Sequence, residues 1–343
     1  MNILLNTLYS ILDTNGVHMK LKRIAVLTSG GDSAGMNAAI RAVVRTALGQ
    51  KLQVCGVIRG YEGLIKGDFM EMNHRSVSNI ISRGGTILKT SRSEEFMTHE
   101  GRRKAVEQLE KHNIDGLIVI GGNGSFQGAH KLAKDWGVAV IGVPGTIDND
   151  LSGSDYTIGA DTAVNTALDA IDKIRDTVDS MERIFVVEVM GREDAFIAIR
   201  VGLAGGAEDV LYPNTEYNIE DMCDEIREGR RKGKISWIII VSEGVGSAKD
   251  VADLIHENTS FEVRGITLGH VQRGGSPTAA DRTLGLRLGE AAVKALLKGE
   301  TDKMVGIVCD EVVLTDFEKA CEKCPKKQAL DKELYRLTRV LST

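Results

Sequence analysis

Short apolar runs alternate along this chain with segments that have helical periodicity. Runs of strand length lie at residues 24–27, 54–58, 117–120, 138–143, 184–189, 235–241 and 305–308. Apolar residues recur at helical spacing in segments such as 163–178 and 283–297. Because continuous apolar runs are typical of strands buried on both faces, the pattern predicts an α/β fold with mostly parallel sheet and helices on both faces.

Two of the predicted strands are followed by a glycine turn and then a helical pattern. Gly30-Gly31-Asp32 follows the run at 24–27, and the sequence GGNGS at residues 121–125 follows the run at 117–120. Glycine lets backbone N–H groups approach a phosphate, and a following helix N-terminus favours negative charge. Either turn alone is also compatible with an ordinary tight turn, but the repeated arrangement favours a phosphate site.

The segment 144–150, with the sequence PGTIDND, follows the predicted strand at 138–143. Ligands of open α/β sheets bind at the carboxyl ends of strands, where this segment is expected. Asp148 can accept the proton of a hydroxyl that attacks phosphorus, and Asp150 can orient groups or help to hold a metal. The alternative is a turn without function, since Asp and Asn favour turns.

Composition narrows the class of protein. A length of 343 residues predicts two domains, and 42% hydrophobic residues are typical of a soluble globular protein. The net charge of −5 argues against general nucleic-acid binding. The five scattered cysteines suggest reduced thiols in the cytosol, and we predict an ordinary helix, not a metal or redox site, at Cys321 and Cys324.

Residues 1–18 carry scattered leucine and isoleucine residues. This segment is too short to span a bilayer and lacks the basic start of a secretory signal, so no membrane association is expected. We expect either a natural start at Met19 or a loosely attached helical extension that is not part of the core.

The chain closely resembles the bacterial ATP-dependent 6-phosphofructokinases from about residue 22 to the 310s. The resemblance is carried by the glycine turns, by PGTIDND, and by the segments MNAAIR (36–41), RGGT (83–86), VEVMGR (187–192) and LGHVQRGGSP (268–277). It implies a cytoplasmic glycolytic kinase and a homotetramer. It also implies two interwoven domains: a larger ATP-binding domain at 19–158 plus 271–322, and a smaller fructose 6-phosphate-binding domain at 159–270 plus 323–343.

The resemblance assigns the site residues. It makes Asp148 the general base, with Thr146 beside the reacting hydroxyl, and Arg92 and Arg192 stabilise the transferring phosphoryl group. The residues implied for ATP are Gly31, Arg92, Ser93, Arg102, Gly122, Asn123, Gly124 and Ser125. Those implied for fructose 6-phosphate are Thr146, Asp148, Asp150, Arg183, Met190, Gly191, Arg192, Glu243, Arg264, His270 and Arg273, of which Arg183 and Arg264 come from a neighbouring subunit.

An effector site for ADP or phosphoenolpyruvate is also implied. Arg41 and Arg45 are four residues apart, so on a helix they share a face and can bind one anion. The implied set is Arg41, Arg45, His74, Arg75, Arg175, Gly206, Glu208, Lys232 and Lys234. A solvated basic face is the alternative for any single member, and His74 replaces an arginine that relatives often have.

Two departures from the family pattern affect the expected chemistry. Asn123 stands where the family has an aspartate that binds Mg²⁺, and a neutral amide is the weaker ligand for this ion. A non-catalytic regulatory paralogue is therefore an alternative to the kinase. The sequence Glu193-Asp194-Ala195 follows Arg192 where many relatives have a glycine, and inward-pointing carboxylates there would weaken substrate binding.

Two further classes fit less well. Pyrophosphate-dependent relatives carry Asp and Lys where this chain has Gly124 and Gly145, and the two glycines leave room for a nucleotide. A dinucleotide-binding dehydrogenase is less suitable still, because no predicted strand is followed by G-x-G-x-x-G and a suitably placed acid.

Overall fold

The computed structural model describes residues 21–213 and 217–342. The predicted extension at 1–18 and the suggested start at Met19 lie outside the described residues. The strands in this part of the chain are β1 (Arg23–Thr28), β2 (Gln53–Val57), β3 (Phe69–Glu71), β4 (Gly116–Gly121), β5 (Val140–Pro144), β6 (Ile184–Val189), β7 (Asp209–Leu211), β8 (Trp237–Ser242), β9 (Val263–Thr267), β10 (Lys303–Val308) and β11 (Glu311–Asp316).

Helices connect and cover these strands. They are α1 (Met36–Gly49), α2 (Gly60–Lys66), α3 (Glu94–Met97), α4 (His99–Lys111), α5 (Asn123–Trp136), α6 (Ala160–Met181), α7 (Phe196–Ala204), α8 (Ile219–Arg231), α9 (Ala248–Thr259), α10 (Ala279–Leu297), α11 (Phe317–Ala320) and α12 (Pro325–Leu341). A 3-10 helix spans Gly269–Arg273.

The described strands form two sheets. The larger has the order β11-β10-β5-β4-β1-β2-β3, and the smaller has the order β7-β8-β6-β9. Pairing is parallel throughout the smaller sheet and within the larger one, except at its edges, where β3 and β11 pair antiparallel. The carboxyl ends of the interior strands of each sheet therefore lie at one edge of that sheet.

Helices cover both faces of the larger sheet. Along β1, Ile24 and Val26 pack in one apolar cluster with residues of α1 and α10. Ala25 and Leu27 point to the other side and pack with residues of α2, α4 and α5. Because successive strand side chains alternate between faces, a fully apolar strand requires helices on both sides, and this arrangement confirms the predicted α/β class.

Each of the seven predicted strands is present, with ends shifted by up to two residues, as in β5 and β8. The helical patterns at 163–178 and 283–297 lie within α6 and α10. The described strands that the apolar pattern missed are β3, β7, β9 and β11, and all four are sheet edges. Edge strands are short or partly exposed, so their apolar signal is weak.

The prediction of an ordinary helix at Cys321 and Cys324 is wrong. Cys321 follows the last residue of α11, and Cys324 precedes the first residue of α12. Pro325 has no backbone N–H and would interrupt a helix that continued through it. The first position of a helix needs no such N–H, so Pro325 begins α12. Both cysteines are free.

The chain contributes to the two sheets discontinuously. Residues 23–144 and 303–316 supply the strands of the larger sheet, and residues 184–267 supply those of the smaller sheet. The last helix, α12, packs against α7 and β7 of the smaller sheet. The domain boundaries at 158, 270 and 322 stay a prediction.

Candidate active site

A cavity of about 1190 Å³ lies between the carboxyl edges of the two sheets. Five segments that each follow a parallel strand line it. These segments follow β1, β4, β5, β6 and β8. The cavity therefore lies where open α/β sheets bind their ligands.

The loops after β1 and β4 are close to each other. Gly30 has φ of +85°, a left-handed conformation that glycine adopts without strain. A Cβ atom on Gly121 would lie 2.6 Å from Ser125 Oγ and 2.7 Å from Ser29 O, so only glycine allows this close approach. Next to them, the N-terminus of α5 begins at Asn123, and unpaired first-turn N–H groups of a helix favour an anion.

The turn after β5 presents the predicted acids. Thr146, Asp148 and Asp150 line the cavity. The Asp148 backbone N–H donates to Thr146 Oγ1 at 3.3 Å, and Thr157 Oγ1 donates to Thr146 O at 2.6 Å. Asn149, between the two aspartates, is buried and has φ of +50°. This turn directs both carboxylates to the cavity.

Three carboxyls at this end of the cavity have raised pKa values. Burial raises the pKa of Asp148, although the nearby Arg273 and Arg192 charges oppose the increase. Burial and then the Asp148 charge raise the pKa of Asp150 to about 6. Burial, followed by the Asp150 and Asp148 charges, raises the pKa of Asp194 to about 7. Burial therefore disfavours the charged form of all three carboxyls, and the neighbouring carboxyl charges add to this effect at Asp150 and Asp194.

We expect Asp194→Asn to stabilise the fold at pH 8 and to stabilise it by a clearly smaller amount at pH 5. A carboxyl whose pKa is raised on folding lowers the stability of the native state as the pH rises from the unfolded-state pKa through the folded-state pKa of about 7. Over this range the unfolded state holds the charged form, which the native state disfavours. Since Asp194 is only partly buried, we expect about 1–2 kcal/mol after allowing for solvent screening. Thermal unfolding in EDTA at both pH values measures the difference.

The control is Asp253→Asn on the exposed surface of α9. This variant should show no pH-dependent gain in stability. An equal gain from Asp194→Asn at both pH values would show that side-chain charge is not the cause.

Basic side chains line the same cavity. Arg92 follows the loop at 88–91, Arg192 follows β6, and His270 and Arg273 belong to the 3-10 helix. Arg273 also donates through Nη1 to Asp32 O at 3.0 Å, which ties it to the loop after β1. These basic groups can bind phosphate at the same end of the cavity where the carboxyls are found.

Most residues predicted for ATP and sugar phosphate line this cavity. The structure brings together Gly31, Arg92, Ser93, Gly122, Asn123, Gly124, Ser125, Thr146, Asp148, Asp150, Met190, Arg192, Glu243, His270 and Arg273. Gly191 is not part of the lining, but with φ of +134° it turns the chain between Met190 and Arg192. Its carbonyl accepts a hydrogen bond from Ser242 Oγ.

The structure places Arg102 below the cavity wall. This buried side chain donates through Nη1 to Met97 O at 2.7 Å and to Phe96 O at 3.2 Å. Ser93 caps α3 above it by accepting from the Phe96 N–H at 3.2 Å. In this structure Arg102 supports the segment that carries Arg92 and Ser93, and its assignment as a direct ATP ligand stays a prediction.

Arg183 and Arg264 lie away from the cavity of this chain. Arg183 precedes β6, whereas the cavity residue Met190 follows it, a separation of about 23 Å at 3.3 Å per residue. Both arginines bind Glu262: Arg183 Nε at 2.9 Å and Arg264 Nη2 at 2.5 Å. They therefore form a basic pair at the opposite edge of the smaller sheet.

The predicted effector residues form two groups. Arg41 and Arg45 lie on α1, with Arg41 Nη1 donating to Val77 O at 2.8 Å, and His74 and Arg75 lie in the following exposed turns. Burial and the Arg45 charge lower the pKa of Arg41.

The second effector group surrounds the smaller sheet. Arg175 Nη2 donates to Gly206 O at 2.7 Å, Lys234 Nζ lies 3.4 Å from Glu208 Oε1, and Lys232 lies beside Lys234 at the end of α8. Among the described residues, no hydrogen bond or ion pair joins the two groups.

Sequence reasoning missed an apolar wall of the cavity. Tyr61 and Phe96 stack with ring centroids 3.8 Å apart and an angle of 8°, and both line the cavity with the exposed Met97. The Tyr61 hydroxyl donates to Ser125 O at 2.6 Å and so connects this wall to the glycine loop. The residues are far apart in sequence, so no local pattern indicates the stack.

The Asn123 side chain contacts two protein groups, and its assignment as a metal ligand stays a prediction. Within residues 21–213 and 217–342, no three His, Cys, Asp or Glu side chains converge as a metal site. Asn123 Oδ1 accepts from Gln127 Nε2 at 2.7 Å, and its Nδ2 donates to Cys321 O at 3.4 Å.

No helix within residues 21–213 and 217–342 is both long and apolar enough to cross a bilayer.

Comparison with known proteins agrees with this geometry. Residues 23–296 match the family model described as phosphofructokinase. The chain is 53% identical over 322 residues to the ATP-dependent 6-phosphofructokinase of Brevibacillus brevis, and 50% identical over 334 residues to that of Halothermothrix orenii. Each comparison covers 94% of this chain and 100% of the relative.

Solved structures have the same fold. A phosphofructokinase chain from Saccharomyces cerevisiae superimposes with a TM-score of 0.83 at 35% identity, covering 94% of this chain and 48% of the yeast chain. This chain thus spans about half the length of the yeast chain. A pyrophosphate-dependent phosphofructokinase from Marinobacter aquaeolei has a TM-score of 0.79 at 23% identity, covering 93% and 91% of the two chains, and this likeness concerns the fold alone.

Proposed function

Because this chain belongs to the phosphofructokinase family, we propose that it transfers the γ-phosphoryl group of MgATP to the 1-hydroxyl of D-fructose 6-phosphate. The products are fructose 1,6-bisphosphate and ADP. The observation that carries the proposal is the meeting of a glycine loop, Asp148 and the guanidinium groups of Arg92 and Arg192 in one cavity. This activity makes the protein a cytoplasmic glycolytic enzyme.

The donor lies against the glycine loops. The backbone N–H groups at the start of α5 bind the phosphates, and the wall of Tyr61, Phe96 and Met97 offers an apolar surface to the base. A Cβ atom on Gly124 would meet no atom within 4 Å, so there is open space above this position. That space supports ATP over pyrophosphate as donor.

Asp148 accepts the proton in the transfer step. The sugar O1 forms a bond to the γ-phosphorus, its proton passes to the Asp148 carboxylate, and the bond between the γ-phosphorus and the bridging oxygen of ADP breaks. Burial favours this role because it raises the pKa of Asp148 and so makes the carboxylate a stronger base. Thr146 lies beside it and orients the hydroxyl.

Arg92 and Arg192 stabilise the transferring group. Charge spreads over the equatorial oxygens of the phosphoryl group in the transition state, and a guanidinium binds such oxygens through two N–H groups. The two arginines approach from different sheets, on segments after β3 and β6. Glu243 accepts from the sugar hydroxyls, and His270 and Arg273 bind the 6-phosphate.

The residues present fit Mg²⁺ that arrives with ATP. Asp150 Oδ1 is buried without a hydrogen-bond partner, and burial, followed by repulsion from Asp148, raises the Asp150 pKa to about 6. A cation held mainly by phosphates and water would offset this repulsion. Bound Mg²⁺ supplies charge neutralisation at the phosphate oxygens, and we assign Asp150 to hold it, with a weaker contribution from Asn123.

We expect Asn123→Asp to lower the Mg²⁺ concentration required for half-maximal activity several-fold, because an anionic oxygen replaces a neutral one. The variant loses the Nδ2 donor to Cys321 O and therefore some stability. Initial rates across a magnesium titration measure the effect. Lys131→Gln, which changes the net charge by the same amount about two turns further along α5, is the control; an unchanged magnesium curve in Asn123→Asp would show that position 123 does not face the metal.

Assembly into a homotetramer completes two sites. Arg183 and Arg264, which lie at the far edge of the smaller sheet, reach the 6-phosphate of a neighbouring subunit. A neighbouring subunit likewise joins the two effector groups, so that Arg41 and Arg45 face Arg175 and Lys234 around ADP or phosphoenolpyruvate. The larger and smaller domains, with the boundaries predicted above, carry the ATP and the fructose 6-phosphate, respectively.

The test is the initial rate of fructose 1,6-bisphosphate formation by the purified protein with MgATP or with magnesium pyrophosphate. Turnover with ATP alone is expected. Turnover with pyrophosphate alone would overturn the assignment of the donor, and no turnover with either would favour the non-catalytic paralogue that Asn123 suggests.

A further inference from the structure

Lys327, in the first turn of α12, donates hydrogen bonds to the turn after β5 that carries Asp148 and Asp150, here called the acidic turn. Its Nζ donates to Asn149 O at 2.9 Å, to Asn149 Oδ1 at 3.1 Å and to Leu151 O at 2.9 Å. An ammonium group has three N–H donors, so these three acceptors match its full capacity. Burial lowers the pKa of Lys327 to about 8, which leaves the charged form dominant at neutral pH.

The residue that Lys327 holds has a left-handed backbone conformation, which asparagine tolerates better than most residues other than glycine. Asn149 has φ of +50° and is 5% exposed. Such a conformation in a residue other than glycine persists when its surroundings fix it. Besides the contacts from Lys327, the Asn149 Nδ2 group donates to Asp155 O at 3.1 Å. The conformation of Asn149 sets the directions of its neighbours, Asp148 and Asp150.

Further contacts attach the same turn to the segment before α12. The Ser152 N–H donates to Ala320 O at 2.9 Å, and Ser152 Oγ donates to Glu322 O at 2.9 Å. A second, smaller cavity of about 40 Å³ lies between the turn and α12, lined by Asp148, Asp150 and Lys327 among others. The acidic turn thus contacts the C-terminal part of the chain as well as the large cavity.

Helix α12 is itself attached to the smaller sheet. Asp331 binds Arg200 of α7 at 2.8 Å, and Arg339 binds Asp209 of β7 at 3.1 Å. The acidic turn, however, follows β5 of the larger sheet. Lys327 therefore connects the turn that carries Asp148 to a helix that is packed on the other sheet.

We propose that Lys327 is a positioning residue for phosphoryl transfer, which fixes the Asn149 turn and thereby the directions of the Asp148 and Asp150 carboxylates. The kinetic part of this inference rests on the proposed kinase function. Lys327 is not part of the lining of the larger cavity; it acts through the turn. A shift of about 1 Å in a reacting group can lower a rate by roughly 100-fold, so loss of these contacts affects turnover before it affects binding.

The test compares Lys327→Met, Lys327→Arg and the control Lys326→Met, which changes the exposed neighbour on the same helix. Methionine has similar length but no donor. We expect Lys327→Met to lower kcat roughly 10- to 100-fold, with the KM for ATP and fructose 6-phosphate within about threefold of the parent. Lys327→Arg should recover part of kcat, and Lys326→Met should match the parent.

Amide hydrogen exchange of residues 148–152 provides a readout that is independent of turnover. Exchange should be faster in Lys327→Met and unchanged in Lys326→Met, since only the former releases the turn. Parental exchange and parental kcat in Lys327→Met would refute the proposal, as would a loss of activity that is confined to KM. If the parent enzyme itself does not phosphorylate fructose 6-phosphate, the proposed function fails, while the exchange data still decide whether Lys327 fixes the turn.

Discussion

Replacing Asp148 by Asn is expected to lower kcat by roughly 10²–10⁴-fold, with a much smaller change in KM for either substrate. The amide has the same shape but cannot accept the proton of the attacking hydroxyl. Burial raises the pKa of Asp148 and so makes its carboxylate a stronger base. The nearby Arg192 and Arg273 charges oppose this increase and can bind the phosphate groups of the substrates. Steady-state rates of fructose 1,6-bisphosphate formation measure the effect.

The pH profile gives a second test of the same role. Because Asp148 must be ionised to accept a proton, kcat/KM should rise with pH through its elevated pKa, and this limb should be absent from the residual activity of Asp148→Asn. Glu193→Gln is the matched control, since it removes one negative charge from the same cavity without removing the base. Undiminished kcat in Asp148→Asn would exclude it as the general base.

Gly124→Asp is expected to raise the KM for ATP by roughly 10- to 100-fold while the fold remains intact. No atom lies within 4 Å of a Cβ placed there, so the side chain fits without steric strain. The carboxylate would nevertheless lie at the N-terminus of α5, beside the donor phosphates, and like charges repel. Substrate kinetics with ATP, together with thermal unfolding, separate affinity from stability.

Gly124→Ala is the control for this change. It adds the Cβ atom without the charge, so it should keep nearly the parental KM for ATP. An equal loss of ATP affinity in both variants would mean that the added atoms, and not the charge, weaken ATP binding. Parental ATP affinity in Gly124→Asp would place the donor phosphates elsewhere.

Gly145 differs from Gly124 in its surroundings, although the sequence suggested the same reason for both. A Cβ atom on Gly145 would lie 3.0 Å from Met36 Cε and 3.2 Å from Ile120 Cγ2. A side chain there would require the Met36 and Ile120 side chains to shift by a few tenths of an ångström. Packing therefore contributes to the choice of glycine at 145, and Gly124, where no such packing contact exists, is the more informative position for choice of donor.

The sequence by itself determined the α/β class, the interior strands and the loops that follow them. These features are local, because an apolar run predicts a buried strand and a glycine turn or PGTIDND is contiguous in the chain. Parallel pairing then brings strand ends together at one edge. For this reason the cavity contains most of the residues expected for ATP and sugar phosphate.

Only the tertiary structure decided which distant residues meet. The four edge strands, the stack of Tyr61 on Phe96, and the inward position of Asp194 depend on packing between separate segments. Lys327 lies 178 residues from Asn149, in a charged segment that no local pattern distinguishes from a solvated helix. Local patterns report the burial and backbone preferences of neighbouring residues, whereas contacts of this range are set by how the two sheets and α12 pack.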